Sequence, residues 1–242
     1  MKRGVCGDAT FNFQPATFNS YTPRVPVPGY ISLVVCAYLL GSIPTGYIVA
    51  RAKGIDIRTV GSGNIGATNA FRVLGKPAGI FVLLADALKG FAACTWMANV
   101  LLRAFDVPAT PFDYAMTERV VAGIVAVLGH NFTCWLRFKG GKGIATTAGV
   151  YLAVAPLAAG IAVISWIIFF VLTRYVSVAS LVAAVVLPTA VWLTHPSIPL
   201  GIATTAVGAL AIWKHKANIA RLRAGTENRI DFSKKSSAKT NS

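Results

Sequence analysis

The chain is predicted to be an all-α integral membrane protein, and its composition and apolar runs carry that prediction. Of its 242 residues, 55% are hydrophobic and only 13% are charged, with a mean hydropathy of +0.62. A soluble domain carries about 25% charged residues. Several apolar runs are also long enough to cross a hydrocarbon core of about 30 Å. We therefore expect a polytopic helical protein without a separate soluble domain.

The apolar runs divide into seven predicted spans, and two of their boundaries need an argument. Segment 143–174 would be about 48 Å long as a single helix, so it is divided at Pro156. The first span contains GSIPTG, whose proline should kink the helix or end it early. The resulting spans cover residues 30–50, 78–103, 118–137, 143–156, 158–174, 177–194 and 198–213.

The predicted spans leave a segment at each end of the chain. Residues 1–29 are polar and Pro-rich and lack the apolar core of a signal peptide. Residues 30–213 form the predicted seven-span catalytic domain. Residues 214–242 form a basic cytoplasmic segment whose Lys/Ser-rich end is predicted to be disordered. The four cysteines are scattered, so they are expected to be small buried residues.

The basic residues predict the orientation. With the N-terminus outside, 17 of the 23 Lys and Arg residues lie on the cytoplasmic side, although the weakly basic N-terminal tail argues for the reverse. The net charge of +15 then reflects a cytoplasmic face in contact with anionic lipid rather than a nucleic-acid partner. Nearly all the unusual polar residues fall on this face, which predicts a site at the cytoplasmic membrane surface.

A glycine-rich stretch, VGSGNIGATNAFRVLGKP, follows the first span and has the G-x-G-x-x-G spacing at Gly61, Gly63 and Gly66. A dinucleotide-binding fold would need a strand before this turn and αβ repeats after it, and the sequence has neither. The stretch is then either a flexible connector or an anion site. Glycines let backbone N–H groups converge on an anion, and Arg72 adds a fork-shaped cation, so an anion site is favoured.

Two basic clusters lie at other span ends. FKGGKGIATT resembles half a Walker A motif, but a glycine follows Lys142 where Ser or Thr would stand. It fits either a basic stop after the third span or an anion site at a helix N-terminus. In WKHKANIARLRAG, His215 and Asn218 share one helical face, which fits an interfacial basic helix or a binding site.

Polar residues also occur inside the predicted spans. Asp86 and Lys89 are three residues apart on one helical face, so they can form an ion pair. Such a pair is a candidate for function, and a structural pair near the interface is an equal alternative. His130, late in the third span, approaches the same face. No metal site is expected, since His130 and Cys134 supply only two ligands.

The motifs that the sequence lacks limit its chemistry. It has no G-x-S-x-G or H-E-x-x-H pattern and almost no intramembrane carboxylate, which disfavours a proton-coupled transporter. The main alternative is a transporter or channel for a phosphorylated solute. That alternative requires polar residues through the outer halves of the spans, which are mostly Val, Ala, Leu and Ile. A metal-dependent head-group transferase would need aspartates that this chain lacks.

The combined motifs resemble the acyl-phosphate-dependent glycerol-3-phosphate acyltransferases (PlsY type) of bacterial membranes. GSIPTGYIVARAKGIDIRTVGSGNIGATNAFRVLGK resembles the first family motif, DALKG the second and GHNFTCWLRFKGGKGIATTAG the third. KHKANIARLRAGTENR is similar to the C-terminal segment. The similarity extends from about residue 30 to residue 230, and it implies seven spans with the N-terminus outside.

The resemblance also implies roles for particular residues. The catalytic residues would be Ser62, Arg72 and Lys142 at the phosphate, with His215 and Asn218 at glycerol 3-phosphate. The substrate-binding residues would be Gly61, Gly63, Asn64, Asn69, Lys89, Gly90, His130, Gly140 and Gly141. Glu227 matches a further motif position. Ala217 departs from the pattern, because an acid is expected there, and a local ion pair is then expected to be missing.

The implied reaction moves a fatty acyl group from acyl phosphate to the 1-hydroxyl of glycerol 3-phosphate, giving lysophosphatidic acid and phosphate as the first step of phospholipid synthesis. No metal, cofactor or CoA is implied. The implied partners are membrane lipid and a peripheral enzyme that supplies acyl phosphate, in the bacterial inner membrane.

Overall fold

The computed structural model describes residues 27–105 and 112–230, and every regular element within these two ranges is helical. This part of the chain confirms the all-α prediction. The first helix begins at Val27, so the last three residues of the predicted N-terminal tail are helical. The rest of that tail and the predicted disordered C-terminal end lie outside the described residues.

The helices are α1 (Val27–Ser42), α2 (Thr45–Arg51), α3 (Ala67–Leu74), α4 (Lys76–Ala92), α5 (Ala98–Ala104), α6 (Phe112–Asn131), α7 (Ile144–Val154), α8 (Pro156–Thr173), α9 (Val176–Thr194), α10 (Ile198–Lys214) and α11 (Lys216–Arg223). A π-helical turn, Ala93–Met97, makes α4 and α5 one continuous helical segment, and a 3₁₀ turn, Cys134–Leu136, follows α6.

Within the described ranges, four helical segments are long and apolar enough to cross a membrane: Lys76–Ala104, Met116–Leu136, Pro156–Thr173 and Val176–Thr194. Helices α1 and α2 pass the same test as a pair, with a bend of 41° between them. Helices α7 and α10 are apolar but have only 11 and 17 residues. Since α7 rises about 16 Å, it is too short to cross the hydrocarbon core alone. Seven crossings therefore stay a prediction.

Both helix breaks that the sequence predicts are present. Helix α1 ends at Ser42 and α2 begins at Thr45, because Pro44 has no N–H to donate and restricts the residue before it. Helices α7 and α8 separate at Ala155, which leaves helical geometry directly before Pro156. The predicted third span is less regular than expected. It is α-helical only to Asn131, and the chain then turns through a 3₁₀ segment.

Close backbone contacts hold α4 against α7. A Cβ atom on Gly90 would lie 2.3 Å from the Thr146 carbonyl oxygen, and one on Gly149 would lie 1.8 Å from the Ala87 carbonyl oxygen. Any larger residue at either position would push the two helices apart. Helix α8, in contrast, exposes large apolar side chains such as Leu172, as expected of a surface in contact with lipid.

Several connecting segments meet at one end of the bundle. Lys214 Nζ donates to the Asn131 carbonyl oxygen (2.6 Å), which joins α10 to the end of α6. The Ile230 N–H donates to the carbonyl oxygen of Arg174, between α8 and α9 (2.9 Å). These segments are the ones predicted to share the cytoplasmic face. Which side of the membrane this end faces remains a prediction.

Candidate active site

A cavity of about 560 Å³ lies among the helices and reaches this end of the bundle. All five residues with predicted catalytic roles line it, together with predicted binding residues from two separate segments. These residues are Ser62, Asn64, Asn69, Arg72, His130, Lys142, His215 and Asn218, and Glu227 lines it as well. Gly61, Gly63, Lys89, Gly90, Gly140 and Gly141 are not among the lining residues. The cavity continues between α4, α7, α8, α9 and α10, where its lining is mostly apolar.

The glycine-rich loop is held in shape by Asn69, which is only 1% exposed. Its Oδ1 accepts a hydrogen bond from the Ser62 N–H (2.9 Å), and its Nδ2 donates to the carbonyl oxygens of Ile57 (3.2 Å) and Val60 (3.1 Å). Gly61 has a φ of +62°, and a Cβ atom there would lie 2.3 Å from Asn69 Oδ1. The loop therefore presents Ser62 to the cavity in a conformation set by one buried amide.

The loop leads directly into α3, which carries Arg72. Gly63, with a φ of +68°, reverses the chain, and Asn64 Oδ1 accepts from the Gly66 N–H (2.8 Å) just before the helix begins. About one and a half turns after the start of α3, Arg72 lines the cavity, and its guanidinium donates to the Asn228 carbonyl oxygen (3.3 Å). Burial lowers the pKa of Arg72, but a guanidinium stays charged at neutral pH.

Lys142 brings a second cation from the loop between α6 and α7. Its Nζ donates to Asn218 Oδ1, a contact between residues 76 positions apart in sequence. Burial lowers the pKa of Lys142 to about 8, while the Glu227 carboxylate partly opposes this change. Most Lys142 side chains therefore carry a charge at neutral pH, and Lys142 and Arg72 together make the polar end of the cavity attractive to an anion.

Asn218 is fixed by an acid that lies further along the chain. Its Nδ2 donates to Glu227 Oε1 (2.7 Å), and Arg221 Nε donates to Glu227 Oε2 (2.7 Å). Burial acts to raise the pKa of Glu227, but the hydrogen bonds from Asn218 and Arg221 help to keep it below its usual value. Ala217, where an acid was expected, is exposed. An ion pair does lie nearby, between Glu227 and Arg221.

His215 presents a hydrogen-bond acceptor to the cavity. Its Nδ1 lies 2.7 Å from the Ala211 carbonyl oxygen, which can only accept, so the proton is on Nδ1 and Nε2 carries a lone pair. Burial, followed by the nearby Lys142 charge, lowers the pKa of His215 to about 4. The imidazole is neutral at physiological pH and is a weak base.

The remaining predicted site residues surround the cavity and have protein partners. Lys89 and Asp86 form an ion pair of 2.8 Å, which confirms the pairing expected from their spacing, and Lys89 Nζ also lies 3.0 Å from His130 Nδ1. The N–H groups of Gly140 and Gly141 donate to the backbone carbonyls of Asn131 and His130 (3.2 and 3.0 Å). Those two amides therefore shape the loop that carries Lys142.

Other cavity residues had no role predicted from the sequence. Thr147, Ser177 and Ser180 line it, as does Trp166, whose indole N–H donates to Ser180 Oγ (3.2 Å). Tyr151 also lines the cavity, and its hydroxyl donates a hydrogen bond to Thr204 Oγ1 (2.8 Å). Thr147 ends the FKGGKGIATT cluster but had no predicted role, the other four belong to no short motif, and only the packing of α7 to α10 shows that they line the cavity. In the part of the chain that the structure describes, no three His, Cys, Asp or Glu side chains converge to hold a metal ion.

Comparison with known proteins identifies the family. Residues 31–225 match the model of the glycerol-3-phosphate acyltransferase family. The chain is 44% identical to the glycerol-3-phosphate acyltransferase of Geotalea daltonii over 198 residues, which is 82% of this chain and 96% of the relative. It is 46% identical to that of Geobacter metallireducens over 203 residues, which is 83% of this chain and 97% of the relative.

Two solved structures have the same fold. They are crystal structures of PlsY (YgiH), an integral membrane glycerol 3-phosphate acyltransferase, in its glycerol 3-phosphate and lysophosphatidic acid forms. The first has a TM-score of 0.74 and 38% identity over 84% of this chain and 96% of its own. The second has a TM-score of 0.72 and 37% identity over 84% and 95%. With its several apolar helices, this multi-pass membrane protein belongs to the PlsY-type glycerol-3-phosphate acyltransferase family.

Proposed function

We propose that the chain transfers a fatty acyl group from acyl phosphate to the 1-hydroxyl of glycerol 3-phosphate, releasing lysophosphatidic acid and inorganic phosphate. One observation carries the proposal: a single cavity joins a cationic end, with Arg72 and Lys142, to an apolar arm between helices. The two solved relatives, named for their glycerol 3-phosphate and lysophosphatidic acid forms, support the acceptor and the product.

The cationic end favours acyl phosphate as the donor. When the acyl carbon of an acyl phosphate is attacked, negative charge develops on the departing phosphate. Arg72, Lys142 and the Ser62 hydroxyl line the cavity where they can stabilise that charge. An acyl-CoA would leave as a thiolate and would place no phosphate at this position. The two cations therefore have their largest effect on a phosphate leaving group.

Glycerol 3-phosphate is placed by His215 and Asn218. The His215 Nε2 lone pair can accept a hydrogen bond from the 2-hydroxyl of glycerol 3-phosphate, which turns the attacking 1-hydroxyl towards the acyl carbon and leaves its own proton free, so catalysis is mainly positioning. The new ester C–O bond forms as the C–O bond to phosphate breaks. A histidine with a pKa of about 4 is a poor general base, so the hydroxyl proton goes to a substrate phosphate.

The acyl chain lies in the apolar arm. Leu83 and Leu84 of α4, Leu152 of α7, and Val163 and Ile167 of α8 all line the cavity and are also exposed at the outer surface. Leu84 is 62% exposed, which leaves the arm open to the surroundings between α4 and α8. In a bilayer this opening faces lipid, so a membrane-dissolved donor enters sideways without crossing water.

The proposal includes the full topology. The chain crosses the bacterial inner membrane seven times, with the N-terminus outside and residues 214–242 in the cytoplasm. The short helix α7 covers only part of the membrane thickness, and the segments on either side of it cover the rest of that crossing. The cavity then opens at the cytoplasmic face, where glycerol 3-phosphate and a peripheral enzyme that supplies acyl phosphate both reach it.

A donor-comparison assay tests the proposal. Purified full-length protein is mixed with palmitoyl phosphate and glycerol 3-phosphate, with palmitoyl-CoA in a parallel reaction and glycerol as the acceptor control. We expect equal amounts of lysophosphatidic acid and phosphate from palmitoyl phosphate alone. Comparable product from palmitoyl-CoA would refute the specificity for acyl phosphate, and a lack of product from both donors would refute the acyltransferase activity.

A further inference from the structure

A buried polar cluster lies beside the cavity, formed by Asp86 and Lys89 of α4, His130 of α6 and Thr45 of α2. The Lys89 side chain is 5% exposed. Its ammonium has three acceptors, Asp86 Oδ1 (2.8 Å), His130 Nδ1 (3.0 Å) and the Ile43 carbonyl oxygen (2.9 Å), so its three donors are fully used within the protein. Lys89 itself is not a cavity-lining residue.

One side of this cluster fixes the break between α1 and α2. Lys89 binds the Ile43 carbonyl oxygen just before Pro44, and the Thr45 hydroxyl just after it donates to Asp86 Oδ1 (3.2 Å). The next residue, Gly46, lies so close to the glycine-rich loop that a Cβ atom would be 1.9 Å from the Ile65 carbonyl oxygen. The position of the break therefore sets the position of the loop that carries Ser62.

The other side of the cluster fixes the loop that carries Lys142. The His130 ring lies against Gly141, where a Cβ atom would be 2.1 Å from His130 Nε2. The Gly141 N–H also donates to the His130 carbonyl oxygen (3.0 Å). Because Gly141 precedes Lys142 directly, the position of the imidazole determines how far Lys142 extends into the cavity. Lys89 holds the other nitrogen of that same ring.

We propose that Lys89 is a positioning residue: it sets the distance between the glycine-rich loop and the Lys142 loop, which lie about 80 residues apart in sequence and bind the same phosphate. The proposal rests on the acyltransferase function given above. It assigns Lys89 no contact with substrate. Its effect reaches the first loop through Ile43 and, by way of Asp86, through Thr45, and it reaches the second loop through His130.

The test must separate positioning from simple charge burial. Lys89→Met alone would leave Asp86 buried without its cation, which destabilises the fold for a trivial reason. The double variant Asp86→Asn/Lys89→Met removes both charges and keeps the side-chain volumes. Thr45→Val keeps every charge and removes only the hydroxyl bond at the break. Lys53→Met, at an exposed lysine, is the matched control.

For each purified variant, thermal unfolding, kcat, both KM values and backbone hydrogen exchange are measured. We expect the double variant to unfold near the wild-type temperature, with a kcat reduced on the order of 10²-fold and little change in either KM. Amide exchange should accelerate in residues 61–66 and 140–143 together, and stay unchanged in α9 and α10. Thr45→Val should accelerate exchange at 61–66 with a smaller loss of kcat.

Three results would overturn the proposal. The first is a folded double variant with wild-type kcat, and the second is accelerated exchange confined to α4. The third is an increased KM for glycerol 3-phosphate with normal kcat and normal exchange, which would mean that Lys89 binds the substrate. Each variant is compared with wild-type protein, assayed with the acyl donor on which the wild type is active. An inactive wild type would refute the proposed function, and the exchange measurement would still decide the role of Lys89.

Discussion

The glycine-rich loop, residues 61–66, and the charged chain formed by Lys142, Asn218, Glu227 and Arg221 line or support the same cavity but are held in different ways. The buried Asn69 amide fixes the loop backbone by accepting from the Ser62 N–H and by donating to the carbonyl oxygens of Ile57 and Val60 just before it. In the charged chain, each side chain is held by the next one, from Lys142 through Asn218 and Glu227 to Arg221.

This difference determines how each region meets an anion. The N–H groups of Ser62, Gly63 and Gly66 already donate within the protein, so the loop conformation is set by protein contacts and the Ser62 side chain is what it presents to the cavity. In the charged chain, Lys142 Nζ donates to Asn218 and Asn218 donates to Glu227, so each side chain depends on the charge of the next. Changes in the loop should therefore act through geometry, whereas changes in the charged chain should act through charge and pH. Four predictions test this contrast, starting with the largest expected effect.

The largest effect is expected from removing either cation. Arg72→Ala and Lys142→Ala should each lower kcat/KM on the order of 10³-fold, because the departing phosphate loses a partner that is stronger in the transition state. Arg223→Ala and Lys139→Ala, at exposed positions, are the matched controls and should keep normal rates. Steady-state kinetics on protein recovered from membranes measures this. A tenth or more of wild-type activity in either alanine variant would contradict the cation assignment.

Asn69→Ala should weaken the loop itself. The change removes the acceptor of the Ser62 N–H and the side-chain donor to the carbonyl oxygens of Ile57 and Val60. The Gly63 N–H still donates to the Val60 carbonyl oxygen, so the main cost is about 1–3 kcal/mol for the buried Ile57 carbonyl left unpaired. We expect lower thermal stability together with a loss of kcat of about 10²-fold from misplaced loop groups. Asn99→Ala, which removes a hydrogen bond to Arg119, is the control and should keep normal kcat. Normal kcat in Asn69→Ala would show that the loop shape does not matter.

The two regions also differ in how much of them could be predicted from sequence. The breaks at Pro44 and before Pro156 follow from local chemistry, since proline lacks an N–H wherever it occurs. The Asp86–Lys89 pair follows from helical spacing. The glycine-rich loop could be interpreted as an anion site because its residues are consecutive in sequence.

The charged chain could not be derived in the same way. Lys142 meets Asn218 across 76 residues, and no local pattern specifies that contact. The role of Asn69 as a scaffold was also hidden, because an amide that binds backbone and an amide that binds substrate look identical in sequence. The short length of α7 and the apolar arm likewise depend on how α4, α7 and α8 pack.

The decline of kcat/KM at alkaline pH should come from the charged chain and not from the glycine-rich loop. Lys142 has a pKa of about 8, and in the proposed function it binds phosphate when protonated, so kcat/KM should fall as the pH rises through about 8. In Lys142→Arg the guanidinium stays charged, so the alkaline decline should disappear while the maximum rate is lower. A pH series of kcat/KM for both proteins measures this. An unchanged alkaline decline in Lys142→Arg would assign the titration to another group.

The smallest effect is expected at Ala217, where the resemblance led us to expect an acid. Ala217 is exposed, and Asn218 already donates to Glu227 at 2.7 Å, so a new carboxylate would have no unfilled role in the cavity. We expect Ala217→Asp to leave kcat and both KM values within about twofold of wild type. Since residue 217 lies in the first turn of α11, the added acid should stabilise that helix by about 0.3–1 kcal/mol. Ala220→Asp, an exposed position in the last turns of the same helix, is the control and should not stabilise it. A large gain in kcat from Ala217→Asp would mean that Glu227 does not replace the missing acid, and that the charged chain is incomplete in this protein.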